Sequence, residues 1–432
     1  MVKTVAFHNL GCKVNSYEME KMVKDLSENG YLVVPFDQKA DIYIINTCSV
    51  TNIADRKSRQ MIHRAKTFNP KAVIVAAGCY VNTHGEPQVK AEGVDLCVLN
   101  EEKREIAAIL DRYCAEQDTP VTQGIPQSGC DGALPALHTR SFLKVQDGCD
   151  AFCSYCIIPY ARGRINSRRI ADVVDEVGRL TAEGYSEFVL TGIHVSSYGR
   201  DRPEDGETLT GLIKAISDAE GVKRIRLSSL EPRIITEGFV SGLSHIPQLC
   251  PHFHLSLQSG SDTVLKRMNR HYTTEEYFAG VGLLRKYFDD PAVTTDIIAG
   301  FPGETEEEFN ETLDFVDKVG FYETHIFKYS RRKGTVADRM PGQHTEAVKH
   351  ERSQILSELN RKNKRAFEDR HIEGGKTKEL LLEDLERING REYISGYTRE
   401  YIKAYAEAGR GSAGDIVTGR IVRNGNGDIM IK

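Results

Sequence analysis

Apolar positions along the chain fall into short continuous runs separated by stretches of helical spacing, and the alternation of the two predicts the architecture. Over residues 1–115, the runs at 4–9, 31–35, 41–46, 72–77 and 95–99 read as strands, and the stretches 16–29, 54–68 and 101–113 as helices. Ser16 offers an N-cap and Gly30 a stop for the first helix, and Asn69-Pro70 ends the second. Ile42-Tyr43-Ile44-Ile45 and Val73-Ile74-Val75-Ala76-Ala77 are apolar without alternation. That is the pattern of parallel strands buried on both faces. An open α/β domain is predicted here.

Residues 116–137 carry Pro120, Gly124, Pro126, Gly129, Gly132 and Pro135, a linker composition. Residues 138–370 alternate again. Strands are predicted at 142–145, 187–190, 224–227, 252–257, 293–298 and 325–327, with helices such as 170–183 and 306–319 between them. Strand–helix repeats of this kind build a partial (β/α)6 barrel. Residues 371–432 hold short strands at 377–382, 415–422 and 428–431 between glycine turns, the pattern of a small β-barrel.

Composition narrows the class. Of the 432 residues, 40% are hydrophobic and 28% charged, which is ordinary for a packed chain. The formal net charge of −5 excludes a generally basic nucleic-acid binder, so any such role falls to local patches. No run of about 18 apolar residues occurs, so no membrane span is expected. Residues 1–7 read as the first strand rather than a secretory leader, and the expected home is cytoplasmic. In a reducing compartment the 10 cysteines are not a disulfide framework, which leaves metal binding or burial.

Three cysteines follow the first strand of the barrel directly: Cys149, Cys153 and Cys156, spaced CxxxCxxC. A short loop of this spacing can wrap three thiolates around one 4Fe–4S cube, each on a different iron. The fourth iron is then open to an external chelate. The alternatives are a zinc loop or buried thiols, but structural zinc takes four ligands in paired spacings, and no second pair lies nearby. Cys12, Cys48 and Cys79 form a second, dispersed set, each just after a predicted strand. In an open parallel sheet those strand ends share one edge, so the three thiols are expected to converge, with Gly11 and Gly78 admitting a bulky group. Burial as small apolar side chains is the alternative. Cys97, Cys114, Cys130 and Cys250 lack such a setting.

The loop from Gly148 to Pro159, with an aromatic residue before its third cysteine, resembles the radical S-adenosylmethionine (SAM) superfamily. The resemblance implies that SAM chelates the open iron and is cleaved to a 5′-deoxyadenosyl radical. It also implies contacts to SAM: Tyr155 to adenine, Thr191 and Gly192 to the amino group, Gln258 to the ribose, and Asp296 and Gly300 near the adenine. Gly11-Cys12-Lys13-Val14-Asn15-Ser16, Asn46-Thr47-Cys48-Ser49-Val50 and Ala77-Gly78-Cys79 resemble the N-terminal domain of the methylthiotransferases. That implies a second 4Fe–4S cluster on Cys12, Cys48 and Cys79, which carries the sulfur to be inserted. The last block is similar to a TRAM domain, an RNA-binding barrel, so the likeness spans essentially the whole chain.

Residues 46–60 look most like the branch of this family that acts on threonylcarbamoyladenosine, 3′ of the anticodon in tRNA. The implied reaction attaches a methylthio group at carbon 2. The implied partners are the tRNA anticodon stem-loop, an external electron donor and a sulfur source. The isopentenyladenosine and ribosomal-protein branches, a single-cluster radical SAM RNA modifier and a zinc-stabilised RNA-binding protein are the rival readings. Basic clusters at Arg56-Lys57-Ser58-Arg59 with Arg64 and Lys66, at Arg162, Arg164, Arg168 and Arg169, at Arg331-Arg332-Lys333 and at 361–365 are candidate phosphate contacts, or solvated helix faces. An arginine-rich mouth would also suit the carboxylate of a threonylcarbamoyl group. Residues 372–432 balance ten Lys and Arg against ten Asp and Glu, so recognition there would rest on Tyr393, Tyr397, Tyr401 and Tyr405. Anaerobic reconstitution is expected to give about eight irons per chain by metal analysis. A plateau at about four would remove the second site.

Overall fold

The computed structural model describes residues 3–116 and 139–432. The expected linker lies almost wholly outside the described residues, and Cys130 with it. The chain divides into two compact units that do not follow contiguous stretches: 1–137 with 147–164 and 330–338, and 138–146 with 165–329 and 339–432.

The first unit is built on a five-stranded parallel sheet of β1 (Thr4–Asn9), β2 (Leu32–Val34), β3 (Ile42–Thr47), β4 (Val73–Gly78) and β5 (Leu96–Val98), in the order β2-β1-β3-β4-β5. Helices α1 (Lys13–Glu28), α2 (Asn52–Phe68), α3 (Cys79–His84), α4 (Glu86–Ala91) and α5 (Ile106–Glu116) connect the strands. All six residues of β3 are buried, as its unbroken apolar run implies. One expectation fails. The first helix begins at Lys13 with Cys12 at its N-cap, three residues before Ser16. Gly11, at φ +106°, turns the chain sharply enough for the helix to start at once, and Ser16 instead accepts a hydrogen bond from Asn9 at 3.1 Å. The unit also holds α6 (Ile158–Arg162), which follows the CxxxCxxC loop.

The second unit contains six parallel strands joined in sequence order: β6 (Ser141–Lys144), β9 (Glu187–Thr191), β10 (Arg224–Leu227), β11 (His252–His254), β12 (Ala292–Ala299) and β13 (Glu323–Lys328). They form two three-stranded sheets, and isolated bridges tie Ile225 to Leu249 and Leu230 to Leu255, just outside β11. Two short strands, β7 (Gln146–Asp147) and β8 (Asn166–Ser167), flank the cysteine loop in the chain. The interleaved helices are α7 (Ile170–Ala182), α8 (Leu209–Ser217), α9 (Glu237–Ser244), α10 (Asp262–Arg267), α11 (Thr274–Tyr287) and α12 (Glu306–Val319). The last of these matches its expected bounds, because Thr305 and Glu308 form a capping box and Gly320, at φ +63°, stops it. Alternation sorts the strand faces. Leu143, Phe188, Leu190, Ile225, Leu227, Phe253 and Ile297 enter the core against the helices, so Glu187, Thr191, Arg224, Arg226, His254 and Asp296 fall on the opposite face. Strand β11 ends at His254, short of the expected 257, although Leu255 and Gln258 still bridge to neighbouring chain.

After α13 (Glu346–Glu373), five strands close a barrel: β14 (Thr377–Ile388), β15 (Arg391–Thr398), β16 (Lys403–Glu407), β17 (Ile416–Arg423) and β18 (Ile429–Ile431). Two of its expected RNA-facing tyrosines are otherwise engaged. Tyr401 stacks on Tyr397 at 4.5 Å and on His252 at 4.7 Å, with Arg140 and Arg226 over its ring. A buried charge cluster holds this junction. Glu187 pairs with Arg224 at 3.0 Å and Arg226 at 2.7 Å, and Arg226 donates to the Thr398 and Arg399 carbonyls. The guanidinium groups hold the Glu187 carboxyl below its usual range against the opposing effect of burial. Glu187→Ala would leave two enclosed guanidinium groups uncompensated. A loss of about 3–5 kcal/mol in the denaturant-unfolding free energy of this unit is expected.

Candidate metal and cofactor site

Strands β1, β3 and β4 end at one edge of the first sheet, and Cys12, Cys48 and Cys79 are the residues found there. In this strand order the switch point lies between β1 and β3, where such sheets bind ligands, and Cys12 and Cys48 flank it. Burial pushes the Cys48 thiol up to about 11, Cys79 and Cys12 add to the rise, and Arg162 opposes it. A metal bound there would displace the proton, which leaves to solvent, and hold the sulfur as thiolate.

The chain around the cysteines is pinned by its own sequence. Thr47 donates to the Ala77 carbonyl at 2.6 Å and accepts from the Tyr80 amide at 3.1 Å. Asn46 donates to Asn9 and to the Asn15 carbonyl, and Asn15 donates to the Leu10 and Thr47 carbonyls. Gly11 is required by space as well as by φ: a Cβ there would lie 2.9 Å from Cys48 Cβ and 3.0 Å from its Sγ. Gly78 has φ +96°, and a Cβ on it would meet Lys103 Nζ at 2.8 Å. Asn100 places its amide 3.6 Å from Cys79 Sγ, while its Oδ1 and that of Asn46 are buried without partners. Three thiols at one sheet edge, a glycine that leaves room beside Cys48 and an amide donor facing Cys79 Sγ are groups that fit an iron–sulfur cluster.

The second set lies in the same unit. Cys149 is buried, its amide bonds the Gly163 carbonyl at 3.0 Å, and the Ala151 amide points at its Sγ at 3.4 Å. Phe152 holds the left-handed region at φ +46°, a strained conformation for a bulky residue. Gly148 is obligatory, since a Cβ would lie 1.8 Å from the Arg164 carbonyl oxygen. Ser154 accepts from the Ala337 amide at 2.7 Å. The loop offers three thiols and one strained turn, and it fits a cluster with one open iron.

Of the expected SAM contacts, Tyr155 sits half-buried in this loop. The others belong to the second unit. Gln258 is held at φ +74° between β11 and β12, its amide donating to the Asp296 carbonyl at 2.8 Å. Asp296 pairs with His254 at 3.3 Å, and the donor atoms of His254, Asp296 and His325 lie within 4.8 Å of one another. Gly300, at φ +72°, donates to Glu304. Thr191 ends β9, and a Cβ on Gly192 would meet the Gln146 carbonyl at 3.0 Å. His194, not singled out from sequence, is pushed down to about 4 by burial.

Two expected RNA contacts are reassigned. Arg162 is wholly enclosed, paired with Glu18 and Asp147. Arg332 is buried against Asp55 at 2.7 Å and donates to Ser49, beside Cys48. The basic stretch on α13 pairs with neighbouring carboxylates: Lys362 with Asp317, Lys364 with Glu323 and Arg365 with Asp369. That is the solvated-face reading. Arg56, Lys57 and Arg164 remain exposed. The reasoning from sequence also missed Glu18, Lys103 and Asn100. Asn15 alone carried a signal, as a polar residue within the Gly11–Ser16 motif.

A radical SAM superfamily model matches residues 143–316, and the model of an uncharacterized protein family, UPF0004, matches residues 4–99. Threonylcarbamoyladenosine tRNA methylthiotransferase MtaB of Bacillus subtilis (strain 168) is 39% identical over 98% of this chain and 94% of its own length. That of Aquifex aeolicus (strain VF5) is 38% identical over 90% and 95%. The chain belongs to the radical SAM methylthiotransferase family. Membership carries SAM and 4Fe–4S chemistry with it, and the methylthiotransferase is an enzyme. A tRNA-2-methylthio-N(6)-dimethylallyladenosine synthase of Moorella thermoacetica is 36% identical over 92% of this chain and 90% of its own length. Among solved structures, the radical SAM methyltransferase TsrM from Kitasatospora setae matches with a TM-score of 0.56 at 17% identity, covering 78% of this chain and 77% of that one, a likeness of fold. No helix among the described residues is long and apolar enough to cross a membrane. Gly11→Ala in the methylthiotransferase is expected to displace Cys48 and to lower the iron taken up from about eight to about four per chain. Uptake unchanged by metal analysis would contradict the fit.

Proposed function

We propose that this methylthiotransferase adds a methylthio group to carbon 2 of threonylcarbamoyladenosine, 3′ of the anticodon in tRNA. The carrying observation is near full-length similarity to relatives of that one activity at 38–39% identity, above the 34–36% of the dimethylallyladenosine relatives. In this reading Cys149, Cys153 and Cys156 hold the SAM-cleaving cluster, and Cys12, Cys48 and Cys79 hold the sulfur-carrying one. Tyr155, Thr191, Gly192, Gln258, Asp296 and Gly300 bind SAM. When bound, these cofactors supply the methyl group, the radical and the sulfur. The protein's share is to orient the adenine edge and to exclude water.

Residues 1–115 form the domain of the auxiliary cluster, 116–137 the linker, 138–370 the radical SAM domain and 371–432 a TRAM-type RNA-binding domain. Tyr393 is its stacking surface, while Tyr405 lies under Lys403 and donates to Glu386. With Arg162 and Arg332 engaged in buried pairs, the exposed Arg56, Arg164 and Arg331 are guanidinium groups offered to the substrate carboxylate or to phosphates, the last two in exchange for their surface partners Asp150 and Asp338. The enzyme works in the cytoplasm on the anticodon stem-loop, and draws on an external electron donor and a sulfur source.

Mass spectrometry of tRNA nucleosides from cells lacking the protein tests the branch. Threonylcarbamoyladenosine is expected to accumulate as its methylthio form disappears. Loss of methylthio-isopentenyladenosine instead would overturn the assignment. In the purified enzyme, Cys48→Ala is expected to keep SAM cleavage and lose methylthio product. Alanine at Cys149, Cys153 and Cys156 abolishes both.

A further inference from the structure

Arg162 ends α6, just after the CxxxCxxC loop, and its side chain is 0% exposed. Its NH1 donates to Glu18 Oε1 at 2.8 Å and to Asp147 Oδ2 at 3.1 Å, and its NH2 to Asn15 Oδ1 at 2.6 Å and Glu18 Oε2 at 3.1 Å. Asn15 and Glu18 lie on α1, the helix that starts at Cys12. Asp147 lies two residues before Cys149. One planar group therefore ties the chain that carries Cys12 to the chain that carries Cys149, across 144 residues of sequence. Asn100 makes a second tie, donating to the Ala161 carbonyl at 2.9 Å and approaching Cys79 Sγ.

The pocket sets cations beside the cysteine-bearing turns: a Cβ on Gly78, next to Cys79, would meet Lys103 Nζ at 2.8 Å, and Arg162 bonds Asn15, which donates to the carbonyl of Thr47, next to Cys48. Glu18 serves two enclosed cations, Arg162 and Lys103, the latter at 2.6 Å. Burial alone would lower the pKa of Arg162, but Cys79, Glu18 and Asp147 together hold it well above its usual range. Its Nε is buried without a partner, so the orientation is dictated by the fork facing Glu18 and Asn15. A lysine could supply the charge in this place but not the two-sided fork.

We propose that Arg162 is a positioning residue with two effects. It sets the spacing between the two cysteine sets, and it holds a permanent positive charge beside the sulfur-carrying set, which makes the cluster there easier to reduce. The proposal rests on the reading that Cys12, Cys48 and Cys79 bind a cluster. That reading fails separately, if the unsubstituted chain takes up only about four irons.

Arg162→Gln and Arg162→Lys test the two effects. The midpoint potential of the auxiliary cluster is measured by a titration followed with electron paramagnetic resonance, in a chain that also carries alanine at Cys149, Cys153 and Cys156. The glutamine variant is expected to shift the midpoint to a more negative value and the lysine variant to keep it. In the otherwise unsubstituted enzyme, Arg162→Lys is expected to cleave SAM to 5′-deoxyadenosine while product formation falls about a hundredfold, since the charge remains and the spacing is lost. An unchanged midpoint in the glutamine variant overturns the electrostatic effect. A lysine variant that forms product at the original ratio to 5′-deoxyadenosine overturns the positioning effect. Loss of the auxiliary iron in both variants overturns the proposal, since Arg162 would then serve only folding.

Discussion

Parallel strands all end at the same edge of their sheet, and the first unit depends on this constraint. Cys12, Cys48 and Cys79, far apart in sequence, lie at one sheet edge because each follows a strand of one parallel sheet. The absence of a Cβ at Gly11 leaves the room that Cys48 occupies, and its absence at Gly78 leaves that of Lys103. A wall of asparagines then fixes the turns: Asn9, Asn15 and Asn46 bond one another and the neighbouring carbonyls. These amides do in a buried setting what water does at an exposed strand end.

The segments 147–164 and 330–338 belong by packing to the unit of the sheet, although they lie far along the chain from it. Charge makes this arrangement specific. Arg162 reaches Glu18, and Arg332 reaches Asp55 and Ser49, so each distant segment inserts one buried guanidinium next to a cysteine-bearing turn. A buried pair of this kind adds little net stability. Removing either partner leaves an uncompensated charge, so the pair enforces one arrangement over others. The second unit uses the same device, with Glu187 between Arg224 and Arg226 where the closed barrel meets the parallel strands.

Much of the site could be read locally. CxxxCxxC is a contiguous spacing, and its chemistry follows from the number of thiolates a short loop can offer. The open α/β sheet was legible because buried parallel strands leave unbroken apolar runs, as in β3. The start of α1 was not, because Cys12 is an uncommon N-cap residue and Ser16 looked like the usual one. The strands of the last barrel were under-read, since β15 shows no clean alternation and β16 alternates only through the small side chains of Ala404 and Ala406.

The amino-acid sequence by itself determined the runs of parallel strands and the family, because strand runs and motif spacings are local properties. Only the tertiary structure decided what the charged residues do. Arg162 and Arg332 read as surface groups for RNA and are enclosed ion-pair partners. Tyr397 and Tyr401 read as stacking surfaces and are packed beneath Arg140 and Arg226. A charge declares its partner only through space: Glu18, Lys103 and Arg162 are separated by 85 and 144 residues, and no periodicity links them.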